Sequence, residues 1–545
     1  MIKRMLMLLC ALPLCCGAQT LFLSWTSADS LHAERQAPRF TAVRDTVLTA
    51  WRGERVPAAA LLYAPTATEP LALHVRSARG LKAEARYVGY VMTDSFNTCG
   101  QHPHNLQPWR VPDVIELPCA LPLEAGQARP VWCTLQVDSQ AKPGAHRLTL
   151  EVKGQQSGRT LARLALTVQV KERTLPAAAQ WQFHTDFWQQ PYAVSRYHGV
   201  PRWSEAHFRL LRPYLELLAA SGQKVASAIL FYEPWGDQSH DKFDPMVQTV
   251  RRSNGTWAYN YDVFDRWIML LDSCGINRQI NCFSMVPWDM KFRYFDEATC
   301  AYRELSTTTS SEEYKELWTS FLRDFAHHLR QRGWYERTCI AMDERGLSHM
   351  LNAYSVAQAA VPGMKMALAG TYHSELVDKL HDYCIGYGEH FSDDELRARR
   401  AAGRVSTTYT CCSTPSPNLF SNSRPDEAAY LPLYCVANGF DGYLHWSWMN
   451  WNDDPLHDTR FRLFAPGDTY LIYPGPRSSV RYERYIEGVQ MAEKFRRLRA
   501  DYEAAGRQAD VARLDAALAA FKDGVVHAAA PAAPRLNAMR RLLNE

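Results

Sequence analysis

Two adjacent carboxylates, Asp343 and Glu344, are the side chains of this 545-residue chain whose placement best suits chemistry. They end an apolar, strand-like run that begins at Thr338. Successive side chains of a strand point to opposite faces, so neighbouring carboxylates share one pocket only where the strand ends and the chain turns. Barrel enzymes carry their catalytic groups at that end of their strands. The alternative is a solvated acidic strand end with Arg345 as its ion partner, so the surrounding sequence decides.

The spacing of this pair favours one kind of sugar chemistry over another. Two carboxylates that flank a glycosidic bond stand roughly 5 Å or more apart, which adjacent residues at one strand end are poorly placed to do. They suit substrate-assisted hydrolysis, in which the 2-acetamido oxygen of the sugar attacks the anomeric carbon and the protein needs no nucleophile. One carboxylate then holds the acetamido N–H, while the other protonates the leaving oxygen and later activates water.

The elements that must position the pair are strands alternating with amphipathic helices, a pattern typical of a parallel α/β fold. The sequence predicts strands at 180–188, 225–232, 277–285, 338–344, 365–371, 383–388, 405–411 and 442–448. It predicts helices at 205–220, 261–274, 311–332, 393–401, 425–437 and 484–499. Eight strands with helices in the gaps predict a (β/α)8 TIM barrel whose fourth strand ends at the carboxylate pair.

The regions on either side of the predicted barrel have different sequence patterns. Short alternating runs at 71–76, 85–91, 131–137, 146–152 and 161–170 indicate half-buried strands. No convincing helix interrupts them, so we expect an all-β sandwich. After residue 499 the chain is rich in Ala and Arg with helical spacing, which predicts a helical tail. The predicted organisation is a signal peptide at 1–18, a sandwich at 19–175, a barrel at 176–500 and the tail at 501–545.

The predicted strand ends collect aromatic and polar side chains of the kind that bind sugars. A pyranose stacks its C–H faces on aromatic rings and needs directed hydrogen bonds around its rim. The candidates for substrate binding are Asp186, Trp188, Trp235, Trp288, Tyr372, His373, Tyr409, Trp446, Trp448 and Asn450. Two long connections, at 236–255 and 287–307, follow strands two and three and are expected to line the pocket. No pair of these side chains has the spacing of metal ligands, so we expect neither a metal nor a cofactor.

The charge balance argues against nucleic acid or an anionic membrane as the partner. The chain has 61 Lys and Arg against 57 Asp and Glu, a formal net charge of only +4. Such a balance gives no electrostatic attraction to polyanions. No segment approaches the length that a transmembrane helix needs.

The first residues predict export. Two basic residues precede an apolar run that ends at Cys16, and the small residues Gly17 and Ala18 follow. This is the arrangement of a secretory signal peptide cut after Ala18. Lipid anchoring through Cys15 or Cys16 is a weaker alternative because neither has small residues ahead of it.

The cysteines do not predict a disulfide framework. Eleven of the 14 remain once the predicted signal peptide is removed, an odd number scattered along a large chain. The neighbours Cys411 and Cys412 are expected to be two separately oriented thiols rather than a strained bridge. Cys99, His102 and His104 have a faintly metal-like spacing, but with no fourth ligand nearby they predict a polar loop.

Five stretches of the sequence together carry a family resemblance. They are 188–200, 341–345 (Ala-Met-Asp-Glu-Arg), 409–412 (Tyr-Thr-Cys-Cys), 439–446 (Gly-Phe-Asp-Gly-Tyr-Leu-His-Trp) and 467–479. With them, the chain from about residue 51 to residue 499 resembles glycoside hydrolase family 123. Characterised members of that family are retaining, exo-acting β-N-acetylgalactosaminidases with an N-terminal β-sandwich, a TIM barrel and an adjacent Asp-Glu pair.

The resemblance implies a role for each member of the pair. Asp343 is expected to orient the acetamido group and Glu344 to act as general acid/base. A tyrosine is expected to donate a hydrogen bond to the acetamido oxygen, and Tyr372 and Tyr409 are both suitably placed. One departure concerns strand eight, which reads His445-Trp where Arg-Trp is expected of relatives, so the substrate preference of that region is open.

The sequence therefore predicts an exported hydrolase that removes terminal β-linked N-acetylgalactosamine from a glycan or glycolipid. A second hypothesis is a glycosidase acting on a sugar without an acetamido group, with Glu344 paired to Asp186 or Glu233. A third is a carbohydrate-binding protein without turnover, because fold resemblance alone does not establish activity. Linkage, aglycone, exo or endo action and oligomeric state depend on loop shape and remain open.

Overall fold

A computed structural model of the chain describes residues 21–103, 105–527 and 529–545. The predicted signal peptide, with Cys15 and Cys16, lies outside the described residues and stays a prediction. His104 also lies outside them.

The N-terminal region is a sandwich of two β-sheets. Its strands are β1 (Phe22–Thr26), β2 (Asp45–Arg52), β3 (Arg55–Ala64), β4 (Leu71–Ser77), β5 (Leu81–Thr93), β6 (Trp109–Ile115), β7 (Gln127–Val137), β8 (Gly144–Gly154) and β9 (Thr160–Thr174). One sheet has the order β1-β3-β7-β5-β6 and the other β2-β9-β8-β4. Leu62 and Val131 of the first sheet and Leu150 and Val168 of the second are fully buried in the core between them. All five predicted strands of this region are present, because alternating apolar residues bury one face of each.

The second region contains twelve more strands. They are β10 (His184–Phe187), β11 (Val225–Ile229), β12 (Gln248–Arg251), β13 (Trp257–Asn260), β14 (Gln279–Phe283), β15 (Lys291–Asp296), β16 (Ala301–Ser306), β17 (Thr338–Met342), β18 (Lys365–Gly370), β19 (Asp382–Gly386), β20 (Val405–Tyr409) and β21 (Gly442–His445). Eight of them form one parallel sheet in the order β10-β21-β20-β19-β18-β17-β14-β11. The amide of Lys224 donates to the carbonyl oxygen of Thr185 at 2.9 Å, which brings the two edges together and nearly closes a TIM-like barrel. All eight predicted barrel strands are present, each shorter than predicted.

Helices cover the outside of the barrel and form the C-terminal region. They are α1 (Tyr192–His198), α2 (Glu205–Ala219), α3 (Asp262–Ser273), α4 (Glu312–Arg332), α5 (Leu347–Ala360), α6 (Asp393–Ala401), α7 (Pro425–Ala437), α8 (Val480–Ala504), α9 (Gln508–Ala519) and α10 (Ala533–Leu543). The sequence missed α5, whose many small residues give it little hydrophobic contrast. The fold class is confirmed: an all-β region, a TIM-like barrel and a helical C-terminal region. No helix among the described residues is both long and apolar enough to cross a membrane.

The two long connections expected to line the pocket carry secondary structure of their own. β12 and β13 follow β11, and β15 and β16 follow β14. Together they form a four-stranded sheet in the order β13-β12-β15-β16, which we call the accessory sheet. It stands at the carboxyl end of the barrel strands, where parallel barrels keep their functional loops.

A disulfide joins the sandwich to the barrel. Cys99, in the loop after β5, is bonded to Cys412, which follows β20, and Cys411 is a free thiol. The expectation of two thiols at Cys411 and Cys412 is therefore wrong for Cys412. A pairing across 313 residues leaves no local spacing signal, which is why the sequence did not reveal it. The loop is also held by the amide of Gly100, which donates to the carbonyl oxygen of Leu463 at 3.1 Å.

Candidate active site

Asp343 follows the last residue of β17 and is held by two donors. Trp288 Nε1 donates to its Oδ2 at 3.2 Å, and the amide of Glu344 donates to its Oδ1 at 2.8 Å. The side chain is nearly buried, with 9% exposure. Burial, and then the charge of Glu344, raises the pKa of Asp343 to about 6, while the two hydrogen bonds oppose the rise. Asp343 is thus a fixed carboxylate that is mostly ionised near neutral pH.

Glu344 differs from its neighbour in being exposed. Tyr409, the last residue of β20, donates its phenol hydrogen to Glu344 Oε1. Burial, and then the charge of Glu344, raises the pKa of Tyr409 far above its ordinary value, so the phenol remains a donor. The pair therefore consists of one enclosed and one solvent-facing carboxylate.

A third carboxylate, Asp468, holds the aromatic side chain of Trp446, which follows β21. Trp446 Nε1 donates to Asp468 Oδ2 at 3.0 Å, and the Trp446 ring packs on Phe464 with centroids 4.8 Å apart. Asp468 is fully buried, and that burial raises its pKa to about 7. Sequence reasoning missed Asp468, although it lies in the stretch at 467–479 that carries the family resemblance. Trp446 itself is half-buried and keeps part of its ring open.

The free thiol of Cys411 lies between the Asp343–Glu344 pair and the contact of Asp468 with Trp446. Burial raises its pKa, and the charges of Glu344 and Asp468 both add to that rise. Cys411 Sγ lies 2.9 Å from Ser413 Oγ. The end of β20 thus brings Tyr409 and Cys411 next to the catalytic candidates, with the disulfide at Cys412 directly behind them.

The two tyrosines left open by the sequence have different partners. The hydroxyl of Tyr372 donates to Glu395 Oε1 on α6 at 2.7 Å, and its ring packs on Phe391. His373 beside it is half-buried, and its amide donates to the hydroxyl of Tyr383 at 2.7 Å. The structure therefore brings Tyr409, and not Tyr372, into contact with the carboxylate pair.

Several candidates for substrate contact lie in packed surroundings instead. Trp188 and Trp235 are buried and stack on each other, with ring centroids 5.4 Å apart. Trp448 is 0% exposed and stacks on Phe187 on the helix side of β10. Asn450 is buried, and its Oδ1 accepts from the amide of His240 at 2.9 Å. Large apolar rings after strands pack in the core as readily as in a pocket, so sequence alone could not separate the two.

Asp186 and Glu233 are the carboxylates that the alternative mechanism, with two separated carboxylates, would pair with Glu344. Asp186 is 1% exposed and faces Asp382 inside the barrel, where burial and that second carboxylate hold its pKa well above its usual range. A carboxyl group enclosed there cannot flank a bond held at Glu344, which corrects its assignment to the substrate pocket. Glu233 stays half-buried on the rim, where burial raises its pKa to about 7. Its carboxylate accepts from the amide of Phe243.

Within the described ranges, no three His, Cys, Asp or Glu side chains cluster in a way that could hold a metal ion. A barrel with paired carboxylates and aromatic rings at the carboxyl ends of its strands has the form of a sugar-cleaving enzyme.

Comparisons with known proteins agree with that form. The family described as the glycoside hydrolase 123 catalytic domain matches residues 188–498, and the family's N-terminal domain matches residues 25–154. The chain belongs to glycoside hydrolase family 123 and is a glycosidase. The family resemblance read from the sequence is thereby confirmed.

One solved structure shows the same fold. A family 123 glycoside hydrolase from Clostridium perfringens, studied for glycolipid glycan hydrolysis, covers 96% of this chain and 98% of its own at 23% identity, with a TM-score of 0.87. A putative glycoside hydrolase from Bacteroides vulgatus covers 84% of this chain and 79% of its own at 10% identity, with a TM-score of only 0.32. No curated protein sequence matches the chain significantly.

Proposed function

We propose that this glycosidase removes terminal β-linked N-acetylgalactosamine with retention, using the acetamido group of the substrate as the nucleophile. The observation that carries the proposal is the contrast between Asp343, enclosed and held by Trp288, and Glu344, exposed and held by Tyr409. Two adjacent carboxylates with different surroundings suit two different tasks on one sugar.

In the first step, the acetamido oxygen bonds to the anomeric carbon while the bond to the leaving oxygen breaks. Glu344 supplies the proton that the leaving oxygen takes up. Asp343 accepts the acetamido N–H and balances the positive charge that develops on the oxazolinium ring. Tyr409 is the tyrosine we assign to the acetamido oxygen, because it is the one in contact with the carboxylate pair, and its single hydroxyl proton turns from Glu344 to the sugar when the substrate binds.

In the second step, water attacks the anomeric carbon from the face that the leaving group left. Glu344 accepts the proton of that water, and the bond to the acetamido oxygen breaks. Two inversions at one carbon give overall retention. The exposure of Glu344 supports this role, because its proton must pass to an alcohol in one step and come from water in the other.

The test is a panel of p-nitrophenyl glycosides: β-N-acetylgalactosaminide, β-N-acetylglucosaminide, β-galactoside and α-N-acetylgalactosaminide. We expect release from β-N-acetyl substrates only, at a lower rate in Glu344→Gln and at the full rate in Glu313→Gln, an exposed control on α4. Cleavage of the plain β-galactoside would favour separated carboxylates, of which Glu233 is the one left on the rim. No cleavage, with sugar binding intact, would indicate a binding protein.

We also propose that the protein is exported. The layout of residues 1–18 is the basis. The Cys99–Cys412 disulfide supports it, since such bonds persist in oxidising compartments and are rare in the cytosol. Fractionation of the native host, with antibody against the mature chain, would contradict the proposal if the protein stayed in the cytoplasm.

A further inference from the structure

One face of the accessory sheet carries a row of apolar side chains across all four strands. Ala258 of β13 pairs with Val250 of β12, and Val250 pairs in turn with Phe295 of β15. Phe295 pairs with Tyr302 of the edge strand β16. Directly paired residues of neighbouring strands point to the same side of a sheet, so these four side chains form one continuous row. We call the side that bears them the outer face.

The outer face is left uncovered while the opposite face is firmly anchored. Phe292 lies three residues before Phe295 on β15 and so points to the opposite side of the sheet. It is fully buried, with its ring 5.2 Å from that of Phe231 and 5.8 Å from that of Trp318 on α4. Tyr302, by contrast, is 58% exposed, the largest exposure of any aromatic ring among the exposed apolar residues of the described chain. Phe295 is half-buried and lies outside the hydrophobic core. A sheet fixed on one side and open on the other is a preformed platform rather than a mobile loop.

Polar groups border the row. The guanidinium of Arg293 lies 4.4 Å from the ring centre of Tyr302 and 4.8 Å from that of Tyr232, and Glu304 is its cross-strand partner. Lys291 shares this side of β15 by the two-residue period. Two cations and one carboxylate are too balanced a set to attract an anionic bilayer, which needs clusters of basic residues. Aromatic rings edged by hydrogen-bonding groups match the alternating apolar faces and hydroxyls of sugars.

The hairpin of β15 and β16, which carries half of the row, begins beside the candidate active site. Trp288, which holds Asp343, stands just before β15, and the hairpin is closed at its base by the amide of Thr307, which donates to the carbonyl oxygen of Met290 at 3.1 Å. Seven residues separate Trp288 from Phe295, so the row begins within about 23 Å of the carboxylate site. Arg293 also reaches Tyr232, which follows β11 at the barrel rim. A ligand held at Asp343 would have to extend over several units to reach Tyr302.

We propose that the outer face binds the glycan chain on the leaving-group side of the terminal sugar. This inference rests on the proposed function, which places the terminal residue at Asp343 and Glu344. The chain beyond it runs along the hairpin, with a sugar stacked on the free side of Tyr302 and hydroxyls bonded to Arg293 and Glu304. The platform selects extended glycans over single sugars.

The test measures binding apart from turnover. In a Glu344→Gln background, calorimetry compares free N-acetylgalactosamine with a linear tetrasaccharide that ends in β-linked N-acetylgalactosamine. We expect the tetrasaccharide to bind more tightly, and Tyr302→Ala to lower the ratio of the two affinities by about 3- to 10-fold, the size of one ring-stacking contact. Phe40→Ala, an aromatic of 41% exposure in the sandwich, is the matched control and leaves the ratio unchanged.

Each other outcome has a definite meaning. An affinity ratio that Tyr302→Ala leaves unchanged overturns the inference, as does a tetrasaccharide that binds no better than the single sugar. If the wild type cleaves no p-nitrophenyl glycoside but binds the tetrasaccharide tightly, the proposed function is overturned, while glycan binding by the outer face is still supported. Loss of binding to phosphatidylcholine and phosphatidylserine vesicles in Tyr302→Ala, with the affinity ratio unchanged, would replace the glycan by a lipid surface and overturn the inference.

Discussion

The indole nitrogen of Trp288 donates a hydrogen bond of 3.2 Å to Asp343 Oδ2. This contact opposes the burial and the neighbouring charge of Glu344, which together raise the pKa of Asp343 to about 6. The balance keeps the carboxylate ionised near neutral pH even though water hardly reaches it. An ionised, enclosed carboxylate is what the proposed contact with the acetamido N–H requires.

Removing that donor should move the acid limb of the pH profile. In Trp288→Phe, the ionised form of Asp343 loses a hydrogen bond, so its pKa rises further above about 6. We expect the acid limb of kcat/KM to move to higher pH by up to about one unit, and kcat/KM near neutral pH to fall about tenfold. Trp109→Phe, on the exposed end of β6, is the control. An unchanged acid limb would remove Asp343 from the ionisation that governs activity.

The leaving group should reveal the role of Glu344. A p-nitrophenolate departs with little help, whereas a sugar alcohol needs a proton. Glu344→Gln should therefore slow cleavage of a disaccharide more than cleavage of a p-nitrophenyl glycoside, with losses of about 10²- to 10⁴-fold for the disaccharide. Initial rates on the two substrates measure the difference. Equal losses on both would indicate that Glu344 does not act as the acid.

The two tyrosines provide a matched comparison. Tyr409→Phe removes the hydroxyl that contacts Glu344, and we expect kcat to fall by about 10- to 100-fold. Tyr372→Phe removes a hydroxyl already engaged by Glu395 on α6, so kcat should change by less than about threefold. Kinetics of both variants on the β-N-acetylgalactosaminide distinguish them. A larger loss in Tyr372→Phe would assign the acetamido contact to the other tyrosine.

Asp468 should make the protein less stable as pH rises. Its pKa is raised to about 7 in the folded state, so folding favours the protonated form. The free energy of unfolding therefore falls as pH rises from about 4 to about 7, and the cost is complete above that range. Asp468→Asn keeps an acceptor for Trp446 without the charge.

We thus expect Asp468→Asn to raise Tm relative to wild type more at about pH 8 than at about pH 4.5, by about 1 °C for each kcal/mol relieved. Thermal scans by circular dichroism at the two pH values give the comparison. A variant whose Tm difference from wild type is the same at both would show that Asp468 does not titrate in this range.

The disulfide should contribute measurable stability. Cys99→Ser opens a link between sandwich and barrel, and we expect a loss of about 2–4 kcal/mol, seen as a lower Tm without reductant. In reductant, wild type and Cys99→Ser should converge. Cys411→Ser, which changes a free thiol, is the control for the adjacent position. Equal melting of oxidised wild type and Cys99→Ser would contradict a stabilising bond.

The sequence predicted the architecture because periodicity is a local property. Apolar residues at every second position indicate the sandwich strands, and strands that alternate with helices indicate the barrel. All eight barrel strands could therefore be counted along the chain. Their ends were overestimated by one to several residues, since the apolar pattern continues where the chain already turns. α5 was lost because its small residues carry little pattern.

The contacts of the candidate site could be predicted only in part. Asp343, Glu344 and Trp288 could be predicted to lie together because strand ends converge in a barrel, and the structure joins them by hydrogen bonds. Trp448 was predicted to line the pocket, but it is buried. Beyond the end of a strand, the sequence does not show whether a side chain points into the barrel or towards the helices around it. Asp468 was missed because it follows no strand and acts through Trp446.

By itself, the sequence determined the barrel, its family and the adjacent carboxylates, because each can be recognised from local patterns along the chain. Only the tertiary structure decided that Tyr409 rather than Tyr372 meets Glu344, that Asp186 is enclosed beside Asp382, and that Cys99 bonds to Cys412. These contacts join residues far apart in the chain. Their partners are selected by packing, and packing depends on the whole fold at once.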